Sequence, residues 1–249
     1  HYTFNLRDFS RVVGGVLTVK PHAGFNDEAL VRLWVHESMR VFGDRLIDDD
    51  DRNWFLGHCK EVTIKSYGKK FEQVFAGLVP EGSDASYEIS LDDTRRLIWG
   101  NYMNPEVSPE SRSYEEVTDV PQLTEVMEAY LTEFNATSRK QMNLVMFLFA
   151  IEHVSRISRI LTNAGGNALL VGVGGSGRQS VARLAASICD FEVKQIEISK
   201  QYGKTEWHED LKMIISAAGT ASREVVFLFS DTQIKEESFV EDINNMLNA

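Results

Sequence analysis

An apolar run, Ala168-Leu-Leu-Val171, leads directly into Gly172-Val-Gly174-Gly175-Ser176-Gly177-Arg178-Gln179-Ser180. Four glycines within six positions strip side chains from a loop, so backbone N–H groups can turn inward there. The segment that follows is compatible with a helix, whose N-terminus adds a partial positive charge. Strand, glycine loop and helix in this order build a cradle for phosphate. A standard P-loop reads G-x-x-x-x-G-K-[S/T]. Here Gly172 and Gly177 are in register, but Arg178 stands at the lysine and Gln179 at the hydroxyl residue that would hold magnesium. Ser180 comes one residue late. A loop that cradles phosphate without these parts points to binding without fast turnover.

The same glycines also satisfy G-x-G-x-x-G, and Glu197 lies 20 residues after Gly177. A dinucleotide-binding fold places its ribose-binding acid there. On local pattern alone, this reading fits as well as the imperfect P-loop. The downstream pattern favours the P-loop. The apolar run Val225-Val-Phe-Leu-Phe-Ser230 ends at Asp231, where a P-loop nucleotidase keeps an acid for the magnesium water shell. The neighbouring position, usually a glutamate that polarises water, is Thr232. The ordinary alternative for Asp231 is a helix cap.

The rest of the chain frames this loop. Its 249 residues allow one large domain or two small ones. A hydrophobic content of 43% with 25% charged residues suits a globular chain. A net charge of −11 argues against a broad nucleic-acid face. Cys59 and Cys189 have neither disulfide-framework nor metal-site spacing and read as core thiols in a reducing compartment. No apolar run approaches the ~18 residues that span a bilayer, and no signal peptide is evident. The chain starts at His1, without methionine, and ends at Ala249 within a helical pattern, as a segment of a larger protein would.

Periodicity predicts helices over 5–17, over 26–47 with Asn26 as N-cap and Leu30, Trp34, Val41 and Phe42 inward, and from Asp51 with Trp54, Phe55, Cys59 and Val62 inward. The acidic run 48–51 lacks calcium-loop spacing and reads as a solvated turn and cap. Four of the five prolines fall between 80 and 121, which favours a domain boundary at 85–100. Further helices are predicted from 121, with Leu123, Met127, Tyr130 and Phe134 at helical spacing, and over 138–162. Met142 and Met146 read as core, and His153 as structural or solvent-facing. Strand 168–173, helix to 188 (Val181, Leu184 and Ile188 inward), strand 192–198, helix 204–217, strand 225–230 and a last helix then imply a parallel sheet with its ligand at the strands' carboxyl ends.

Three strings carry a wider resemblance: Ile-Glu-His-Val-Ser-Arg-Ile-Ser-Arg-Ile-Leu (151–161), Val-Gly-Val-Gly-Gly-Ser-Gly-Arg-Gln-Ser (171–180), and the segment 229–248 that opens Phe-Ser-Asp-Thr-Gln-Ile-Lys. They closely resemble the dynein heavy chain at the start of its fourth AAA+ module, in the axonemal rather than the cytoplasmic variant. The opening, His-Tyr-Thr-Phe-Asn-Leu-Arg-Asp-Phe-Ser-Arg-Val (1–12), resembles the end of the third module. The resemblance implies an all-α AAA+ lid subdomain over 1–90 and the first part of a P-loop α/β subdomain over 91–249. It implies a ring motor moving on microtubules in the ciliary or flagellar axoneme, part of the cytoskeleton of the cytoplasm. The implied partners are the other AAA+ modules, intermediate and light chains, and the microtubule through a stalk outside this segment; neither nucleic acid nor membrane is among them. ATP or ADP would lie on Gly172, Gly174, Gly175, Ser176, Gly177, Arg178, Gln179 and Ser180, with Val117 offering a backbone contact to adenine. Asp231 would serve magnesium if it is bound. Arg7 would sense the γ-phosphate of the preceding module, its ordinary alternative being a surface salt bridge. No catalytic residue is assigned, because Arg178, Gln179 and Thr232 depart from the lysine, threonine and glutamate of cytoplasmic members. A dinucleotide-binding domain and a structural module with an empty loop remain the rivals.

Overall fold

The computed structural model describes residues 2–22, 24–220 and 224–248. His1 and Ala249, which close the sequence reading at either end, lie outside them. The chain divides into two compact units, His1–Val126 and Met127–Ala249.

The first unit is mostly helical. Helix α1 (Leu6–Val16) opens on a reciprocal cap. The Asn5 side chain accepts from the Arg7 and Asp8 N–H groups, and Asp8 accepts from the Asn5 N–H at 2.9 Å. Asn26 caps α2 (Asp27–Val41), and Asp48 accepts from the Asp51 N–H to cap α3 (Asp49–Tyr67). The acidic run is therefore a helix start. Gly68, at φ 68°, ends α3 in the left-handed conformation that suits glycine. A short α4 (Phe71–Val74) follows. Two strands unforeseen in the sequence, β1 (Ile98–Gly100) and β2 (Glu115–Val117), pair antiparallel with Trp99 opposite Glu116.

Two inward faces differ from expectation. Helix α2 ends at Val41, before a 3-10 turn at Gly43–Arg45, and it buries Val31, Leu33, Val35 and Met39. It packs against α1, α4 and β1, so the faces away from Leu30 are covered too. In α3 the inward row is Leu56, Cys59 and Thr63. Trp54, two positions from Leu56 and so about 200° around the helix, is 70% exposed and stacks on His58.

Leu97 and Trp99 join the same core as α2, and the Arg32 guanidinium meets the Glu116 carboxylate at 2.9 Å. The first compact unit consequently runs beyond the expected boundary at 85–100.

Helix α5 (Val120–Thr137) leads into the second unit, where α6 (Leu148–Thr162) packs on α7 (Arg178–Ile188). Helix α6 starts ten residues later than the expected helix over 138–162. Between them exposure alternates with period two: Met142, Leu144 and Met146 turn inward while Asn143, Val145 and Phe147 turn out. The Asn135 side chain brackets this segment, donating to the Met142 carbonyl at 2.8 Å and accepting from its N–H at 2.7 Å.

Strands β3 (Glu192–Lys194) and β4 (Val225–Phe227) run parallel, with Val193 opposite Val226 and α8 (Lys204–Thr220) between them in sequence. Helix α9 (Glu237–Leu247) follows. Trp207 on α8 stacks on Phe239 of α9, ring centroids 4.4 Å apart, and donates its indole N–H to Asp242 at 2.8 Å. The α/β expectation holds, but the expected strands 192–198 and 225–230 shorten to three residues each. The expected strand 168–173 joins no ladder among the described residues. Leu169, Val171 and Val173 stand 90%, 84% and 79% exposed, whereas a strand inside a parallel sheet is covered on both faces. Cys59 and Cys189 are buried and form no disulfide. Burial pushes the Cys59 thiol up to about 12. No helix among the described residues is long and apolar enough to cross a membrane.

Candidate functional site

The glycine loop and the carboxyl ends of β3 and β4 carry the candidate site in the second unit. Gly175 and Gly177 hold φ of 77° and 78°, left-handed values that side chains disfavour. The Ser176 N–H donates back to the Val173 carbonyl at 3.4 Å, closing the turn. Gly177 is the N-cap of α7 and offers no side-chain acceptor. The first hydrogen bond of that helix runs from the Val181 N–H to the Gly177 carbonyl at 2.9 Å. The N–H groups of Arg178, Gln179 and Ser180 thus form the helix's open first turn, an anion site by geometry and dipole. Apart from each glycine's own chain neighbours, no heavy atom among the described residues lies within 4 Å of where a Cβ would sit on Gly174 or Gly175, so space lies over the loop. These features fit a phosphate group.

Arg178 reaches back across the loop. Its guanidinium donates to the Leu170 carbonyl at 3.3 Å and to the Val173 carbonyl at 3.1 Å. Phosphate oxygens are stronger acceptors for a guanidinium than neutral carbonyls are. Gln179 turns elsewhere: its Oε1 accepts from Gln195, just beyond β3, at 3.4 Å. Gln195 in turn accepts from Arg183. The residue in the magnesium-hydroxyl position therefore contacts a strand end. Ser180 is half-buried one position further into α7.

Asp231 begins a 3-10 turn, Asp231–Gln233, after β4. The cap of that turn is Ser230, not Asp231: Gln233 returns its side chain to the Ser230 N–H at 2.7 Å. Asp231 is exposed, and its Oδ1 accepts from the Thr232 N–H at 3.0 Å. Its other oxygen has no partner among the described residues. The Thr232 hydroxyl pairs with that of Ser230 at 2.9 Å and carries no carboxylate. Among the described residues no group of three His, Cys, Asp or Glu is placed to hold a metal ion by itself. A magnesium ion here would depend on phosphate oxygens for further ligands, as this ion commonly does.

Glu197, the acid of the dinucleotide reading, is solvent-exposed with its carboxylate 3.6 Å from Lys140. In the first unit, Val117 is buried on β2 opposite Ile98. Arg7 is exposed on the first turn of α1, and no carboxylate among the described residues lies within ion-pair distance of it. Asp8 pairs instead with Arg45 at 3.1 Å.

Sequence reasoning missed Gln233 and Lys235. Gln233 is buried and donates to the Ile196 carbonyl at 2.5 Å. Lys235 donates to the Ser199 carbonyl at 2.5 Å. The Ser-x-x-Gln spacing at 230–233 was the available signal.

Comparison with known proteins gives two family matches. A family described as "P-loop containing dynein motor region D4" matches residues 142–249, and one described as "Dynein heavy chain, ATPase lid domain" matches 1–52. Over the whole chain, similarity is 52% identity to dynein axonemal heavy chain 3 of Homo sapiens and 51% to that of Mus musculus. It is 43% to dynein axonemal heavy chain 1 of Rattus norvegicus. The chain spans only 6% of the length of the first two and 5% of the third.

Proposed function

The chain belongs to the dynein heavy chain family, in its axonemal type, and from that premise we propose that it is a nucleotide-binding segment of an ATP-driven ciliary or flagellar motor. Residues 1–90 are the helical lid of the third AAA+ module, and 91–249 begin the α/β subdomain of the fourth. The whole motor works in the axoneme, on microtubules reached through a stalk, together with its other modules and its intermediate and light chains.

The fourth-module site binds ATP or ADP and hydrolyses it slowly or not at all. Gly172, Gly174, Gly175, Ser176, Gly177 and the first-turn N–H groups of α7 hold the phosphates. Arg178 would exchange its two carbonyls for phosphate oxygens, and Asp231 would hold the water shell of magnesium. Magnesium, when bound, would neutralise phosphate charge.

One observation carries this reading. The phosphate-facing helix terminus is open, while Thr232 has only a hydroxyl, tied to Ser230, where a water-polarising carboxylate belongs. Charge from Arg178 favours ground and transition states alike and adds little rate. Density for the full motor in ADP tests it, with a diphosphate expected on 174–180. A loop too closed for a diphosphate would leave the empty structural module. Binding of NAD at this loop would favour the dinucleotide rival.

A further inference from the structure

Two side chains outside the glycine loop fasten the turn that carries Asp231. The β3–β4 ladder gives out just past the Leu228 N–H, which donates to the Lys194 carbonyl at 2.9 Å. Beyond that point Gln233 takes over from the backbone. Its Oε1 accepts from the Ser230 N–H at 2.7 Å and the Ser230 hydroxyl at 3.1 Å, while its Nε2 donates to the Ile196 carbonyl at 2.5 Å. One buried amide thus ties the end of β4 to the end of β3. On the other side, the Lys235 ammonium faces the carbonyls of Ser199, Lys200 and Tyr202 at 2.5, 3.3 and 3.5 Å. Asp231 lies in the turn these contacts fix. The β3 end is also the one that meets Gln179, through Gln195.

We propose that Gln233, seconded by Lys235, is a positioning residue that holds the Asp231 carboxylate where it can order the magnesium water shell on a bound nucleotide. This rests on the reading of Asp231 given above. Groups that orient a metal-binding carboxylate typically change metal affinity 10–100-fold when replaced. Gln233 and Lys235 bond to backbone groups and the Ser230 hydroxyl, so they set position without adding a ligand.

The test uses the full motor with the phosphate loops of its other modules disabled. A fluorescent ADP analogue is titrated in excess magnesium and again in EDTA, and the melting temperature is recorded. Gln233→Glu keeps the acceptor for Ser230 but loses the donor to Ile196. It is expected to lower the magnesium-dependent gain in affinity by about tenfold with affinity in EDTA unchanged, and to melt earlier because its carboxylate is buried against a carbonyl. Lys235→Met is expected to show the same split, and it decides the matter if Gln233→Glu folds poorly. Full magnesium gain in both variants, while Asp231→Ala loses it, overturns the inference and leaves Asp231 in its role. Equal losses with and without magnesium, or early melting of both, reduce the two residues to structural ties and also overturn it. An Asp231→Ala motor that keeps the gain removes the reading of Asp231 itself.

Discussion

Arg178 donates its guanidinium to the carbonyl of Val173, 3.1 Å away on the opposite limb of the glycine loop. A second bond to Leu170 makes the arginine a strap across the space where a lysine would extend a single charged end. On phosphate the guanidinium would meet charged acceptors, and losing a hydrogen bond to a charged group costs roughly 1.5–3 kcal/mol. Arg178→Ala should therefore weaken ADP binding about tenfold to a hundredfold. Arg178→Lys should recover only part of it. Equilibrium titration with ADP in the full motor checks both.

Arg7 is exposed and unpaired among the described residues, yet its backbone is fixed by the Asn5 cap. A cation presented from a capped helix start suits a phosphate sensor better than a local salt bridge. In the full motor, Arg7→Ala should lower turnover at the third module about tenfold or more, the loss of one charge-assisted hydrogen bond. Binding at the fourth loop should be unaffected. Unchanged ATPase rate and motility would count against the sensor role.

The same helix start has a pH signature. The Asn5 N–H donating to Asp8 lowers the Asp8 pKa, and Arg45 and then Arg11 lower it further. A depressed carboxylate stabilises the fold at pH above its unfolded value and loses that contribution as pH falls through the lower folded value. Hydrogen exchange of α1 amides should accelerate over that acidic window. Asp8→Ala should raise exchange at neutral pH by an amount equivalent to about 1 kcal/mol, and the gap from wild type should narrow towards low pH.

What the sequence disclosed followed from how local each signal was. The Asn26 cap, the helix starts near Asn5 and within the acidic run 48–51, and the glycine loop before α7 depend on residues three or four apart and are legible in the sequence. The extended run 141–147 was misread as helix because apolar Met, Leu and Phe fit both periods. Its true signal was the alternation of Gln141, Asn143 and Val145 with Met142, Leu144 and Met146. Hydrophobicity alone puts Trp54 inward, but Leu56 and Cys59 define the opposite face. The β1–β2 pair depends on Trp99 meeting Glu116 and on Arg32 reaching across 84 positions, which no local pattern encodes. The loop residues were identifiable, but the turn of Gln179 towards Gln195 and the Gln233 tie are tertiary contacts.

The second unit relies on a small aromatic centre. Trp207 is fully buried, lies flat against Phe239 and donates to Asp242. Trp207→Ala should cost about 3–5 kcal/mol, while Trp207→Phe, which keeps the stack and loses the N–H, should cost less. Denaturant titration of the chain would rank them.

The central claim is that this loop binds nucleotide without fast chemistry. Hydrolysis needs a positioned water, a base and magnesium; Thr232 supplies no base, and Gln179 leaves a bound magnesium without its hydroxyl ligand. Restoring glutamate at 232 alone should not create a fast site, because the loop would still lack its hydroxyl ligand. The direct measurement is a single-turnover ATP assay on the full motor with every other module's phosphate loop disabled. The predicted result is retained nucleotide with turnover far below about 1 s⁻¹, the low end of ordinary enzyme rates. Turnover at that rate or faster would contradict the binding-only assignment.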